Sequence, residues 1–184
     1  MGFSLPPPGF KFSGFVKNIP DAYHGTSQEA AAKILATTFL ATRGNHLHLG
    51  DDVYFYDGCF ESAAWWARNR NYVPPIVLRS EVNLGDCIDF ENRQHKTIIS
   101  QFAHGLHQRM QNSAQLRDSL PPLCDGVIIN LAAKLANADA VRASYIESDH
   151  GKKLHPWSQF AWSGRRVICV RKTNMISGTT IAQN

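Results

Sequence analysis

Residues 49 to 70 read LGDDVYFYDGCFESAAWWARNR, with Tyr54, Tyr56, Phe60, Trp65 and Trp66 gathered in a chain that is 10% aromatic. The half from Asp52 to Tyr56 is β-branched and aromatic, and predicts a strand. Asp57 then offers a cap, and residues 59 to 70 combine good helix formers with a basic C-terminal end, which the helix dipole favours. Along the strand, Tyr54 points to one face while Val53 and Phe55 point to the other. In the helix, Ser62 and Trp65 are three positions apart and share a face. One strand ring, one helix ring and one hydroxyl can therefore line a slot suited to a flat carboxamide, stacked between rings and bonded by the hydroxyl. Tyr56, Phe60 and Trp66 are expected to pack in the core beneath it.

Working outward, Asp21 to His24 reads as the end of a short strand. Thr26 and Glu29 have capping-box spacing, with Thr26 as N-cap of the helix EAAAKILA. Pro74-Pro75 ends the second helix, IVLRSEV alternates like a strand, and Leu84-Gly85-Asp86 turns the chain into CIDF. Between Asn92 and Leu120, apolar residues at Ile98, Ile99, Phe102, Leu106 and Met110 follow the helical period and predict one long amphipathic helix. Pro121-Pro122 stops it, and CDGVIIN and RRVICVRK read as two further strands. Strands that do not alternate regularly with helices indicate an α+β fold.

The bulk numbers agree with one globular unit. At 184 residues, one domain buries roughly two thirds of its unfolded surface. The chain is 43% hydrophobic and 18% charged, with a mean hydropathy of -0.26, and no apolar run approaches the roughly 20 residues of a spanning helix. The Pro-rich start MGFSLPPPGFKFSGF has no early basic cluster or apolar core of a signal peptide, and Pro6 occupies the Ser/Thr position of a myristoylation motif. A cytoplasmic protein without a membrane partner is expected, with residues 1–20 as a lead and 21–184 as a single domain. Cys59, Cys87, Cys124 and Cys169 are far apart, as suits reduced structural thiols. His46-x-His48 and His104-x-x-His107 lack supporting cysteines or carboxylates, so no metal is expected.

Net charge is +4 and the pI about 9.0. The cations fall in doublets: Arg68/Arg70, Lys152/Lys153, Arg165/Arg166 and Arg171/Lys172. Gathered on one face they would bind phosphate; scattered, they would only solvate the surface.

With YHGT at Tyr23 to Thr26, the chain resembles ADP-ribosyltransferases of the poly(ADP-ribose) polymerase-like, diphtheria-toxin-related branch. That branch pairs a His-Gly strand with a Tyr-Phe-type strand, followed eight residues on by a serine and eleven on by a second stacking ring. Those offsets from Tyr54 fall on Ser62 and Trp65, with Trp in place of the usual Tyr. The resemblance is specific over residues 22 to 70 and looser beyond. It implies an ADP-ribosyltransferase-like split mixed β-sheet core with flanking helices, and NAD as substrate. His24 would bond the ribose, Gly25 the carboxamide through its backbone, Thr26 would support both, and Tyr54, Ser62 and Trp65 would hold the nicotinamide. The third motif residue, often Glu on a later strand, falls at Val167, which points to transfer of a single ADP-ribose. Glu147 is the candidate to supply a carboxylate instead.

The resemblance further implies a macromolecular acceptor approaching Arg165 and Arg166, with RNA leading and protein as the alternative. A small transferase of this type resembles toxins of toxin-antitoxin or phage-defence systems, which implies an antitoxin partner. A silent NAD- or RNA-binding module stays open, since loss of the strand Glu is what such a module would carry.

Overall fold

The computed structural model describes residues 11–12, 16–44, 47–145 and 165–182. The Pro-rich lead falls mostly outside these residues, as do Glu147 and His46. Among the described residues seven strands and five α-helices follow in order: β1 (Asn18–Ser27), α1 (Gln28–Ala36), β2 (Val53–Asp57), α2 (Phe60–Asn69), β3 (Pro75–Asn83), β4 (Cys87–Asp89), α3 (Arg93–Asn112), α4 (Ala114–Ser119), α5 (Asp125–Ala136), β5 (Ala140–Tyr145), β6 (Arg165–Val170) and β7 (Ile176–Ile181).

The strands form one sheet in the order β4-β5-β6-β2-β1-β3-β7. Only β4 and β5 run parallel; the other neighbours are antiparallel. The fold is thus a mixed sheet flanked by helices, the α+β arrangement that the element order predicts.

Alternation along β2 sorts the core into two layers. Val53 and Phe55 join Leu78, Ile168 and Val170 under Ala31 of α1 and Phe39. On the other face, Tyr54 and Tyr56 pack against a cluster built from Ile99, Phe102 and Ala103 of α3, Ile128, Ile129, Ala132 and Ala133 of α5, and Val141, Val167 and Cys169 of the sheet. The α2 helix lies on this second face, where Ala63 and Ala64 meet Val77, Tyr23 and Tyr56.

Several local expectations change. CDGVIIN is not a strand: Asp125 to Asn130 open α5, which runs to Ala136. A short apolar run suits a buried strand or a buried helix equally, and here the helix formers LAAKLA extend it beyond strand length. Its end is closed by Asn137 in the left-handed region, with Ala138 N–H donating to the Ala133 carbonyl at 2.9 Å. The long helix breaks at Ser113, whose hydroxyl caps α4 by accepting from Leu116 N at 3.2 Å.

The cap of α1 is Ser27 rather than Thr26, its Oγ accepting from Ala30 N. Thr26 is held in β1 opposite Ile76, because the ladder with β3 continues to Ser27. Asp57 is likewise not a cap: it ends β2, and Cys59 holds the N-cap position of α2. Strands β5 and β7 add to the strands that the sequence predicts. The former carries Arg142 in its middle, and the latter is a polar edge strand with Gly178 at φ +60°.

His95 is buried at the start of α3, where its Nδ1 accepts the Asp89 N–H at 3.0 Å. Burial holds its pKa below the ordinary value, outweighing the nearby Asp89 carboxylate. Burial lowers the His24 pKa as well. A histidine depressed on folding stabilises fully above its unfolded value of about 6.5, and the contribution is lost as pH falls through that value toward the folded one. The melting temperature should therefore decline as pH drops below about 6.5. The slope should be shallower in His95→Gln, whose amide oxygen can accept the same N–H. Identical slopes for both proteins would remove His95 as a cause.

Candidate functional site

The strands bearing the two motifs lie side by side, yet they pair only at Ala22↔Asp57 and Tyr23↔Tyr56. By contrast, β1 pairs with β3 out to Ser27, and β2 pairs with β6 from Val53 to Tyr56. Past Tyr23 the ladder between β1 and β2 lapses, and His24 fills the place of a backbone donor. Its Nδ1 lies 2.8 Å from the Tyr54 carbonyl oxygen. A carbonyl only accepts, so Nδ1 carries the proton and, in the neutral ring, Nε2 is left as an acceptor.

The surroundings favour that neutral ring. Phe39 meets the imidazole edge-on at 5.3 Å and Phe55 lies at 5.7 Å. Burial lowers the pKa of His24, and the bond to Tyr54 opposes this only in part.

The Tyr54 ring lies on the opposite face from Phe55, as alternation predicts. Its hydroxyl donates to the Gly50 carbonyl at 2.6 Å and accepts from Leu49 N at 3.0 Å. Burial pushes this phenol well above its ordinary pKa, with the neighbouring Cys169 thiol adding to the effect, so it stays neutral. The ring is fixed to the segment preceding its own strand. That segment is anchored from afar: Asn130 Oδ1 on α5 accepts from Asp51 N and from Arg171 Nη1, both at 2.9 Å. Asp52 has φ +124°, a strained conformation for a non-glycine residue, immediately before β2. Asn130 carries no signal in the sequence and Arg171 only that of a basic doublet, since Asn130 and Asp51 lie 79 positions apart and no local pattern records such a pair.

Gly25 brings α2 onto β1. A Cβ there would sit 2.1 Å from the Ala63 carbonyl oxygen, so only glycine permits this approach. With Ala63 and Ala67 facing the sheet, the two motif residues on α2 sit differently. Ser62 is buried, its Oγ 2.9 Å from Cys59 Sγ. Trp65 lies two residues past Ala63, about 200° around the helix, and is 38% exposed with the Arg165 guanidinium 5.0 Å from its ring.

Among the rings expected in the core, Tyr56 and Phe60 pack there, Phe60 meeting Tyr23 edge-on at 5.9 Å. Trp66 does not. It is 38% exposed, with the Arg70 guanidinium 4.4 Å from its ring, because Ala63 and Ala67 already occupy the inward stripe.

Val167 is buried opposite Tyr56 on one side and Ala143 on the other. Glu147 lies outside the described residues. Beyond the Tyr strand, a buried ionic cluster joins four strands. Arg142 donates to Asp57 Oδ2 through Nε at 3.1 Å and Nη2 at 2.9 Å, and to Asp89 through Nη1 at 3.2 Å. Arg166, half exposed, reaches the same Asp57 oxygen at 3.6 Å.

His104 Nδ1 bonds the Ser100 carbonyl and His107 Nε2 faces Gln111. Among the described residues no group of three or more His, Cys, Asp or Glu is arranged to hold a metal ion, and no helix is long and apolar enough to cross a membrane.

No protein-family model matches the chain. It is 30% identical over 123 residues to an uncharacterized protein of Methanocaldococcus jannaschii, an alignment that covers 61% of this chain and 55% of that protein. The chain thus spans about half the length of the curated relative it matches.

Proposed function

We propose that the chain is an NAD-dependent mono-ADP-ribosyltransferase with an ADP-ribosyltransferase-like split in the sheet, its catalytic unit including all of β1 from Asn18 rather than starting at residue 21. One observation carries the reading: the His-Gly strand and the Tyr strand are neighbours that part after two pairs, with His24 bonded to the Tyr54 carbonyl where they separate. The close seat of α2 on Gly25 draws the Ser62 and Trp65 helix to the same strand, on the sheet face that carries Tyr54 and opposite the His24 imidazole.

In this reading the nicotinamide-ribose bond breaks with its electron pair leaving on nicotinamide, and the ribose carbon develops positive charge before an acceptor attacks. Catalysis then depends on holding both halves of NAD still. His24, neutral and with Nε2 free to accept, would take a ribose hydroxyl. The Gly25 backbone and the Ser62 hydroxyl would hold the carboxamide, Thr26 would support them, and Tyr54 and Trp65 would flank the ring. Val167 supplies no carboxylate, which fits transfer of a single unit, and Glu147 is the candidate base for the acceptor's proton. The acceptor is a macromolecule, RNA before protein, met by Arg165 and Arg166. A toxin restrained by an antitoxin in a toxin-antitoxin or phage-defence system is the setting this implies.

The buried, apolar Val167 at the third motif position favours a second reading, a silent module that binds NAD without cleaving it. Incubation with NAD labelled in the adenylate, together with total RNA or lysate, separates the two. Label on RNA is the expected result. Label on protein replaces the acceptor, binding without label supports the silent module, and absence of NAD binding overturns the proposal.

A further inference from the structure

The loop that joins α1 to β2 turns one ring inward. Every other residue from Leu35 to Arg43 is exposed, Leu40 at 83%, whereas Phe39 is 4% exposed. Its ring centroid lies 5.3 Å from the His24 imidazole, with the two planes at 85°. It also lies 5.1 Å from the Phe55 ring, which is itself 5.7 Å from the imidazole.

This loop is fastened at both ends. The Thr37 N–H and Oγ1 both donate to the Lys33 carbonyl, at 3.0 and 2.8 Å. At the other end Thr42 and Asp52 exchange backbone bonds, Thr42 N–H donating at 3.2 Å and Asp52 N–H at 2.8 Å. Phe39 is therefore a fixed wall beside the imidazole rather than a swinging lid. The sheet closes the flanks: fully buried Leu78 is the β3 partner of His24, and Phe55 stands on β2. The Tyr54 carbonyl holds Nδ1.

One hydrogen bond does not fix such a ring. The outer torsion of a histidine is broad and roughly two-fold, so a bond at Nδ1 alone leaves the imidazole room to rock and to exchange tautomers. A ring set nearly at right angles fills that room and keeps out the water that would favour the charged form. Among the described residues no charged group joins burial and the Tyr54 bond in setting the protonation of His24. Its response to Phe39 is thus free of a competing carboxylate.

We propose that Phe39 is a positioning residue for His24, holding the imidazole against the Tyr54 carbonyl with Nδ1 protonated and Nε2 presented as an acceptor. Its contribution to transfer rests on the transferase reading; its hold on the ring does not.

Nitrogen-15 NMR of histidine-labelled protein without NAD reads the tautomer and titration of His24, assigned by the signal lost in His24→Asn. In the intact chain the neutral ring should be the Nδ1–H form and should titrate below about 6.5. In Phe39→Ala the titration should move up toward about 6.5 and the Nε2–H form should appear, because water gains the ring. Phe39→Leu keeps apolar bulk at the site and should stay with the parent. In the transfer assay the kcat of Phe39→Ala should fall about tenfold while KM for NAD changes by less than about threefold, since an orienting group is misplaced and the Tyr54 ring lies on the opposite face of the sheet.

An Nε2–H ring in the intact chain would overturn the proposal, and that result needs no variant to fold. A His24 titration that Phe39→Ala leaves unmoved would overturn it too, reducing Phe39 to an anchor for its loop. The expected tautomer and shift in a protein that never cleaves NAD would keep Phe39 as the residue that holds His24 and remove the transferase reading alone.

Discussion

His24→Ala is expected to lower the kcat/KM of ADP-ribose transfer by at least about 100-fold, a loss of about 2.7 kcal/mol in the transition state. Two things are lost together: the Nε2 acceptor proposed for the ribose, and the Nδ1 donor that holds the Tyr54 carbonyl where β1 and β2 part. His24→Asn separates them. Its amide can donate to the same carbonyl, which keeps the strands in register, but it offers nothing at the Nε2 position. Transfer should stay low in His24→Asn while its melting temperature stays near that of the parent. Recovery of activity in His24→Asn would reduce His24 to a spacer between strands. Because catalysis here needs the neutral ring and burial lowers its pKa, the acid limb of the kcat/KM profile should lie below about pH 6.5.

Arg142→Met is expected to cause the largest loss of stability. The guanidinium is almost fully buried between Asp57 and Asp89, and removing it leaves two buried carboxylates, with half-exposed Arg166 still near Asp57 and, among the described residues, no cation on Asp89. Breaking a buried pair in this way costs about 3 to 5 kcal/mol, and for a chain of this size each kcal/mol lowers the melting temperature by roughly 2 to 4 °C. A fall of roughly 6 to 20 °C follows.

The triple change Arg142→Met, Asp57→Asn and Asp89→Asn should recover at least half of that loss, since it removes the stranded charges along with their partner. A single Arg142→Met protein as stable as the parent would show the cluster to be solvated rather than structural.

Much of the candidate site can be read locally. The alternation of Val53, Tyr54 and Phe55 assigns each ring to a face before any partner is known, and the face assignment agrees with the two core layers. Amphipathic spacing gives α3 most of its length. Local reading fails where tertiary contacts choose between equal options. CDGVIIN becomes helix because α5 extends to Ala136 and buries its apolar residues at helical spacing. β5 has a buried Arg142 in its middle, which no strand pattern anticipates, because the carboxylates that neutralise it lie 85 and 53 positions away. Trp66 turns outward because the alanines of α2, not its rings, meet the sheet at Gly25.

By itself, then, the sequence determined the strand-then-helix order of residues 49 to 70, the faces of its rings, and the juxtaposition of His24, Gly25 and Thr26 in one extended segment. These follow from side-chain periodicity and backbone propensity, which act over a few residues. Only the tertiary structure decided that β1 and β2 are neighbours that separate after two pairs, that His24 bonds the Tyr54 carbonyl at that point, and that Asn130 and Arg171 hold the segment before Tyr54. Each of these depends on groups far apart in the chain, and only burial and hydrogen-bond satisfaction over the whole sheet can select them.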